Sequence, residues 1–108
     1  MAMNLAEQHC LPQEGHSAFT PYEIKVYLGM LSGWLLVDGA IEKVFRFAHY
    51  FETVAFVNAA AWIAQRENHH PALSVTYDQC AVRFDTHAVG GLSINDFICA
   101  AKLDALLT

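Results

Sequence analysis

The sequence has no apolar run long enough to cross a bilayer. Its most hydrophobic stretch, residues 54–64, is too short and contains Asn58. No basic segment followed by an apolar run opens it, so no secretory leader is expected. Basic residues are scarce: Lys and Arg total 6 against 11 Asp and Glu, and a formal charge of −5 excludes a long basic groove for nucleic acid. Cysteine is limited to Cys10, Cys80 and Cys99, an odd set without paired spacing. That argues against a disulfide framework and for reduced thiols in a cytoplasmic protein. No phosphate-binding loop is present, because Gly90-Gly91 lacks the lysine and the strand–turn–helix setting. Nor is there a nucleophile-elbow serine, an internal repeat or a low-complexity segment.

What remains is apolar and rich in histidine. The 108 residues suit one domain, 55% of them are hydrophobic and only 16% are charged. So small and apolar a chain is expected to cover part of its surface with a partner subunit. Six histidines make its net charge sensitive to pH between about 5 and 8.

Residues 1–19 show little periodicity and are expected to form a flexible N-terminal arm, with a single domain over residues 20–108. His9, Cys10 and His16 are metal-ligand types, but a poorly ordered polar arm is the simpler reading. Thr20, Pro21 and Glu23 supply an N-cap, a proline for the first turn and a capping-box acid. Ile24, Tyr27, Leu28 and Leu31 then form one apolar helical face, and Gly33 is the expected stop. Residues 34–37 and 41–47 read as strands joined by an Asp38-Gly39 hairpin turn. Ile41, Phe45 and Phe47 share one face; Glu42 and Arg46 share the other. Residues 49–68 predict a long helix buried on several sides, ended by Pro71 through its effect on His70. Residues 75–86 are strand-like but change phase near Asp78-Gln79, giving one bent strand or two short ones. After the Gly90-Gly91 turn, Ser93 caps a last helix with Ile94, Ile98, Ala101 and Ala105 on one face. The order is α-β-β-α-β(β)-α, an α+β domain with an antiparallel sheet of three to four strands.

Chemistry concentrates in Glu67-Asn68-His69-His70-Pro71, with Tyr77 and Thr86-His87. His69 falls where the long helix ends, and the negative end of the helix dipole favours an imidazolium there, as a general acid requires. Pro71 holds His70 extended, so the two rings diverge. His87 ends a strand before a glycine turn, a place where side chains line clefts. Against this stand plainer roles. A histidine pair at a helix end is more often a C-cap, Tyr77 is a core candidate, and Asp96 is a helix N-terminal carboxylate. A zinc site from His69, His70 and His87 is weakly supported, since adjacent histidines chelate one ion poorly.

Taken together, Glu67-Asn68-His69-His70-Pro71, Tyr77, Thr86-His87, Gly90-Gly91-Leu92 and Asp96 resemble the pterin-4a-carbinolamine dehydratase pattern. Gly33-Trp34, Phe45-Arg46-Phe47 and Phe56 with its alanine-rich helix fit as well, so the resemblance covers residues 20–107. It implies a sheet with helices on one face, assembled as a homodimer or homotetramer. The implied activity is removal of water from 4a-hydroxytetrahydropterin to give quinonoid dihydropterin, without metal or organic cofactor. This recycles the cofactor of aromatic amino-acid hydroxylases and links the chain to phenylalanine hydroxylase. The resemblance makes His69 and His87 acid candidates and gives His70 a part in catalysis and pterin binding, with Gln65, Pro71 and Thr86 as further binding residues. Gln65 stands where the family usually has an ionisable residue; it can hydrogen-bond a pterin but not take its proton. Cys10 is followed by Gln13 where some bacterial relatives have a second cysteine. The alternative is a non-catalytic dimerisation or assembly module of the same fold, a role other family members fill.

Overall fold

The computed structural model describes residues 4–107. A 3₁₀ turn (Leu5–Glu7) precedes α1 (Pro21–Leu28), β1 (Leu35–Val37), β2 (Ala40–Arg46), α2 (Tyr50–Glu67), β3 (Ala72–Val75), β4 (Gln79–Phe84), a second 3₁₀ turn (His87–Val89) and α3 (Ile94–Ala105). The sheet is antiparallel throughout, in the order β1-β2-β4-β3. The expected α+β order is therefore found. The phase change near Asp78-Gln79 resolves into two strands joined by a turn, which leaves Tyr77 exposed rather than in the core.

Alternation sets the core. Ile41 and Phe45 of β2 and Cys80, Val82 and Phe84 of β4 all point to one face and are buried. Thr53, Phe56, Ala60 and Ala64 of α2 recur at helical spacing and are buried, as is most of α3. Phe97 packs between these layers and stacks on Phe19, which also stacks on Tyr27 of α1. The last helix buries Asn95 to Ala100 and Leu103, a wider surface than the single stripe expected. It is enclosed by the sheet, α2 and the N-terminal segment together. The far side of α2 leaves Tyr50, Phe51 and Trp62 exposed.

Local signals explain the ends. The Thr20/Glu23 capping box and Pro21 start α1 as expected. That helix stops at Leu28, a turn earlier than Gly33, which instead takes a positive φ of 84° in the loop. Asp38 and Gly39, both at positive φ, form the hairpin turn. The stop of α2 is Asn68 rather than Pro71. Asn68 adopts the left-handed conformation (φ 51°, ψ 44°), and the amide of His69 then returns to the carbonyl of Ala64 at 3.1 Å. Asparagine reaches that region more readily than other side-chain-bearing residues, so the chain turns two positions sooner than proline alone would impose.

At the other end of the core, Asp104 near the end of α3 accepts from the Trp34 indole (3.0 Å) and from Lys43 Nζ (2.8 Å). Lys43 also donates to the carbonyl of Ser32 and passes over the Phe45 ring. Trp34 is thereby held edge-on to Phe45, and the β1–β2 hairpin is fastened to α3.

The segment expected to be a flexible arm lies against the domain from residue 4 onward; residues 1–3 lie outside the described residues. Leu5 is buried beside α3, and the Lys102 ammonium donates to the carbonyl of Ala6 at 2.8 Å. The Cys10 amide donates to Glu67 Oε1 (2.7 Å), while His9 Nδ1 meets Glu67 Oε2 (3.0 Å) and Lys102 lies 3.8 Å from the same oxygen. Asn95 grips Leu11 twice: its Oδ1 accepts from the Leu11 amide (3.2 Å) and its Nδ2 donates to the Leu11 carbonyl (2.8 Å). Cys10 Sγ rests 3.5 Å from Cys99 Sγ. None of these long-range pairings has a local sequence period, which is why the segment reads as structureless.

Burial alone would push the Glu67 carboxyl up, but the Cys10 amide, the His9 ring and the Lys102 ammonium outweigh it and hold the group below its ordinary 4.5. The Cys10 thiol is pushed far up, first by its hydrogen bond with Cys99, then by burial and by the Glu67 charge, so it stays protonated. Burial also raises Cys80.

Two predictions follow from these anchors. Asp104→Ala should lower unfolding stability by about 1–3 kcal/mol, read as a lower urea midpoint with red-shifted tryptophan emission. An unchanged midpoint would show that the Trp34–Asp104–Lys43 contact adds nothing. Glu67 has a lowered folded value, so its stabilisation is present above about pH 4.5 and fades as pH falls through that folded value. Melting temperatures of the native protein and Glu67→Gln should therefore differ at neutral pH and converge as pH falls below the ordinary 4.5 and through the lowered folded value. Parallel curves would contradict the assignment.

Candidate active site

The C-terminal end of α2, the N-terminal end of α3 and the loop after β4 meet at one place, and a cleft of about 590 Å³ opens there. His69 and His70 line it from the end of α2. Asp85, Thr86 and His87 line it from the β4 loop, Asn95 from α3, and residues 10–14 from the N-terminal segment. Three of the residue groups singled out in the sequence thus converge: His69, His70 and Thr86-His87. Gln65 is exposed on α2 and Pro71 is half-buried; neither lines the cleft.

His69 is the most constrained of these side chains. Its residue is 9% exposed, and its ring lies parallel to Phe84 at 5.8 Å. Nε2 sits 2.6 Å from Asp96 Oδ1. Asp96 is wholly buried, and its other oxygen accepts from the Thr86 hydroxyl (2.8 Å) and the Ser93 amide (2.9 Å). The hydrogens follow from these partners. Thr86 has one hydroxyl proton and gives it to Asp96, so the Ser93 hydroxyl 2.7 Å away donates to Thr86. Ser93 Oγ in turn accepts from the Asn95 amide. An ionised carboxylate only accepts, so His69 presents Nε2–H to it and Nδ1 remains as the other ring nitrogen. No buried side-chain nitrogen or oxygen among the described residues lacks a partner.

In the sequence Asp96 stands out as a helix N-terminal carboxylate and as part of the family pattern, with no partner indicated. The cap is there, as a capping box with Ser93. The second task, holding His69 from 27 positions away, had no local signal. The cleft wall from residues 10–14 was missed for the same reason.

His87 opens the 3₁₀ turn that follows Thr86. That loop is pinched by a Thr86–Gly91 bridge, with Thr86 donating to the Gly91 carbonyl at 2.8 Å and Gly90 turning at φ 65°. The pinch leaves His87 exposed at the cleft edge. His70 is likewise exposed, between the left-handed Asn68 and β3. One buried imidazole backed by a carboxylate and two exposed ones at the rim suit proton transfer to a small ligand. Among the described residues no three His, Cys, Asp or Glu side chains are grouped to hold a metal ion, and no helix is long and apolar enough to cross a membrane.

The chain is similar to proteins of one family. Residues 17–106 match the family described as pterin 4 alpha carbinolamine dehydratase. A Chromobacterium violaceum protein assigned by name to that dehydratase is 52% identical over 104 residues, covering 96% of each chain. One from Nitrosospira multiformis is 50% identical, covering 95% of this chain and 92% of its own. The crystal structure of a transcriptional coactivator/pterin dehydratase from Brucella melitensis superposes with a TM-score of 0.82 at 30% identity, over 85% of this chain and all of that one. A pterin dehydratase-like RuBisCO assembly factor of the alpha-carboxysome shares the fold, with a TM-score of 0.56 at 24% identity. With the family matched over most of its length and half its residues identical to those of named dehydratases, the chain belongs to the pterin-4a-carbinolamine dehydratase family of hydro-lyases.

Proposed function

We propose that this cleft dehydrates 4a-hydroxytetrahydropterin by histidine acid–base catalysis. The observation that supports the reading best is the buried Thr86–Asp96–His69 chain ending at the cleft. The reaction breaks the bond between C4a and its hydroxyl oxygen and forms a double bond between C4a and N5. Hydroxide is a poor leaving group, so an acid must deliver a proton to it as it departs as water. The N5 lone pair drives the departure, and the N5 proton is lost to a base.

In this reading His69 is the acid. Asp96 keeps Nε2–H engaged, so the imidazolium form donates from Nδ1, and stacking on Phe84 fixes the ring plane. His87 at the loop is the second proton-transfer group. His70 contacts and orients the pterin, and Thr86 acts through Asp96. Gln65, exposed near the end of α2, and half-buried Pro71 are the further pterin-binding candidates, set just outside the residues that line the cleft. The reading extends to a cytoplasmic homo-oligomer that serves an aromatic amino-acid hydroxylase. The three free thiols and the exposed Phe51 and Trp62 on α2 are compatible with it.

The test is turnover of freshly made 4a-hydroxytetrahydropterin, followed by ultraviolet absorbance. His69→Ala should cut kcat by about 100-fold or more and His87→Ala should also cut it strongly, both with native circular dichroism. Asp96→Asn should lower kcat more than it raises KM and should alter the pH profile, as expected of a group that orients the acid. Full activity in both histidine variants would remove the proposed acid roles. A folded native protein that does not accelerate the reaction would remove the proposed function.

A further inference from the structure

The N-terminal segment that encloses the cleft has no part in the acid–base chemistry, yet it is held by several interactions of good geometry. The Cys10 amide is fixed to Glu67, Leu11 is held through both backbone groups by Asn95, and the Cys10 thiol lies against Cys99. Asn95 is 6% exposed and next to Asp96, so the helix turn that carries the His69 partner also fixes this wall. Burying an asparagine to grip a surface segment is costly unless both ends are paired, and here they are. The grip controls where residues 12–14 lie.

Within that wall, polar groups are mostly engaged. The Gln13 side-chain amide donates to the Leu11 carbonyl at 3.0 Å, and the Gln13 carbonyl accepts from the His16 amide. Leu11 and Pro12 are apolar. Glu14 is exposed at the turn with Gly15, lines the cleft, and makes no ion pair or hydrogen bond with the described residues. Of the other acidic groups on the cleft, Asp85 is, like Glu14, exposed and without an ion pair or hydrogen bond among the described residues, and Glu67 is not. Glu67 is taken by Cys10, His9 and Lys102, and Asp85 sits on the opposite chain segment beside Thr86.

A pterin carries two adjacent donors, N3–H and the 2-amino group, on the edge away from C4a. A carboxylate accepts from both in parallel, the arrangement that makes paired hydrogen bonds to carboxylates strong and directional. We propose that residues 10–14 are a substrate-binding wall of the active site. In this proposal Glu14 receives the N3–H and 2-amino edge of the pterin, and Asn95 is the residue that positions the wall. The proposal rests on the pterin dehydratase reading above and adds to it a substrate contact from the N-terminal segment.

The experiment compares steady-state dehydration of 4a-hydroxytetrahydropterin by the full chain and by Glu14→Gln, Glu14→Asp, Asn95→Ala and Asp85→Asn, with melting temperature as a check on folding. Glu14→Gln puts a donor where an acceptor is needed. It should raise KM by about 10- to 100-fold with kcat within about twofold, while Glu14→Asp recovers part of the loss. Asn95→Ala should raise KM in the same direction; if it fails to fold, the exposed Glu14 variants still decide. An unchanged KM in Glu14→Gln, in an enzyme that works, overturns the proposal and leaves the dehydratase reading intact. So does a KM effect confined to Asp85→Asn, which would put the carboxylate on the loop. A native protein with no dehydratase activity overturns both.

Discussion

A single buried carboxylate organises this domain. Asp96 is wholly shielded from water, and an ionised carboxyl in that position is tolerated only if it is fully hydrogen-bonded. Its partners come from separate parts of the chain: the Ser93 amide at the start of α3, the Thr86 hydroxyl just after β4, and the His69 ring just after α2. Satisfying one charge therefore fixes where two helix ends and a strand end meet. The N-terminus of α3 contributes as well, since its free amides and dipole favour an anion there. The cleft lies at this junction because the fold is most constrained there. The acid role proposed for His69 would draw its precision of aim from that constraint.

Much of the frame was legible because it depends on local rules. The capping box at Thr20, the Asp38-Gly39 turn, the alternation along β2 and the Ser93 cap each involve residues within a few positions of one another. Where the reading went astray, competing local signals were present. Pro71 and Asn68 both end helices, and Asn68 acts first because it lies nearer and adopts the left-handed region. Helix α1 ends at Leu28 with Gly29 still right-handed (φ −64°, ψ −18°), and the left-handed glycine, Gly33, follows only after an intervening turn. Tyr77 has strand propensity but falls in the turn between β3 and β4, where its backbone carbonyl meets Thr53 and its ring faces water.

The site was half legible. His69, His70 and Thr86-His87 stood out as chemistry-bearing types near predicted element ends, and they do come together. What the sequence could not convey was coupling at a distance. The His69–Asp96 pair spans 27 positions, the Cys10–Glu67 bond 57 and the Leu11–Asn95 pair 84. No periodicity carries such information, and residues 4–14 lack even the amphipathic pattern that marks a packed helix. Apart from Leu5 and Cys10, they are held largely through backbone amides and carbonyls, which every sequence possesses.

That distinction bears on how the two sides of the cleft differ. The side holding His69 is made of charge-assisted bonds inside the core, with a stacked aromatic ring and almost no solvent access. Breaking it would expose an unpaired carboxylate to an apolar interior, so it should open only with the fold itself. The side made by residues 10–14 is tied through its own backbone groups to the side chains of Glu67 and Asn95, and the sheet and both long helices do not depend on those bonds. Local opening is cheapest where few apolar contacts are lost. The architecture thus sets a core-anchored side around His69 opposite a wall made by residues 10–14, and the same α3 turn, through Asn95 and Asp96, holds both.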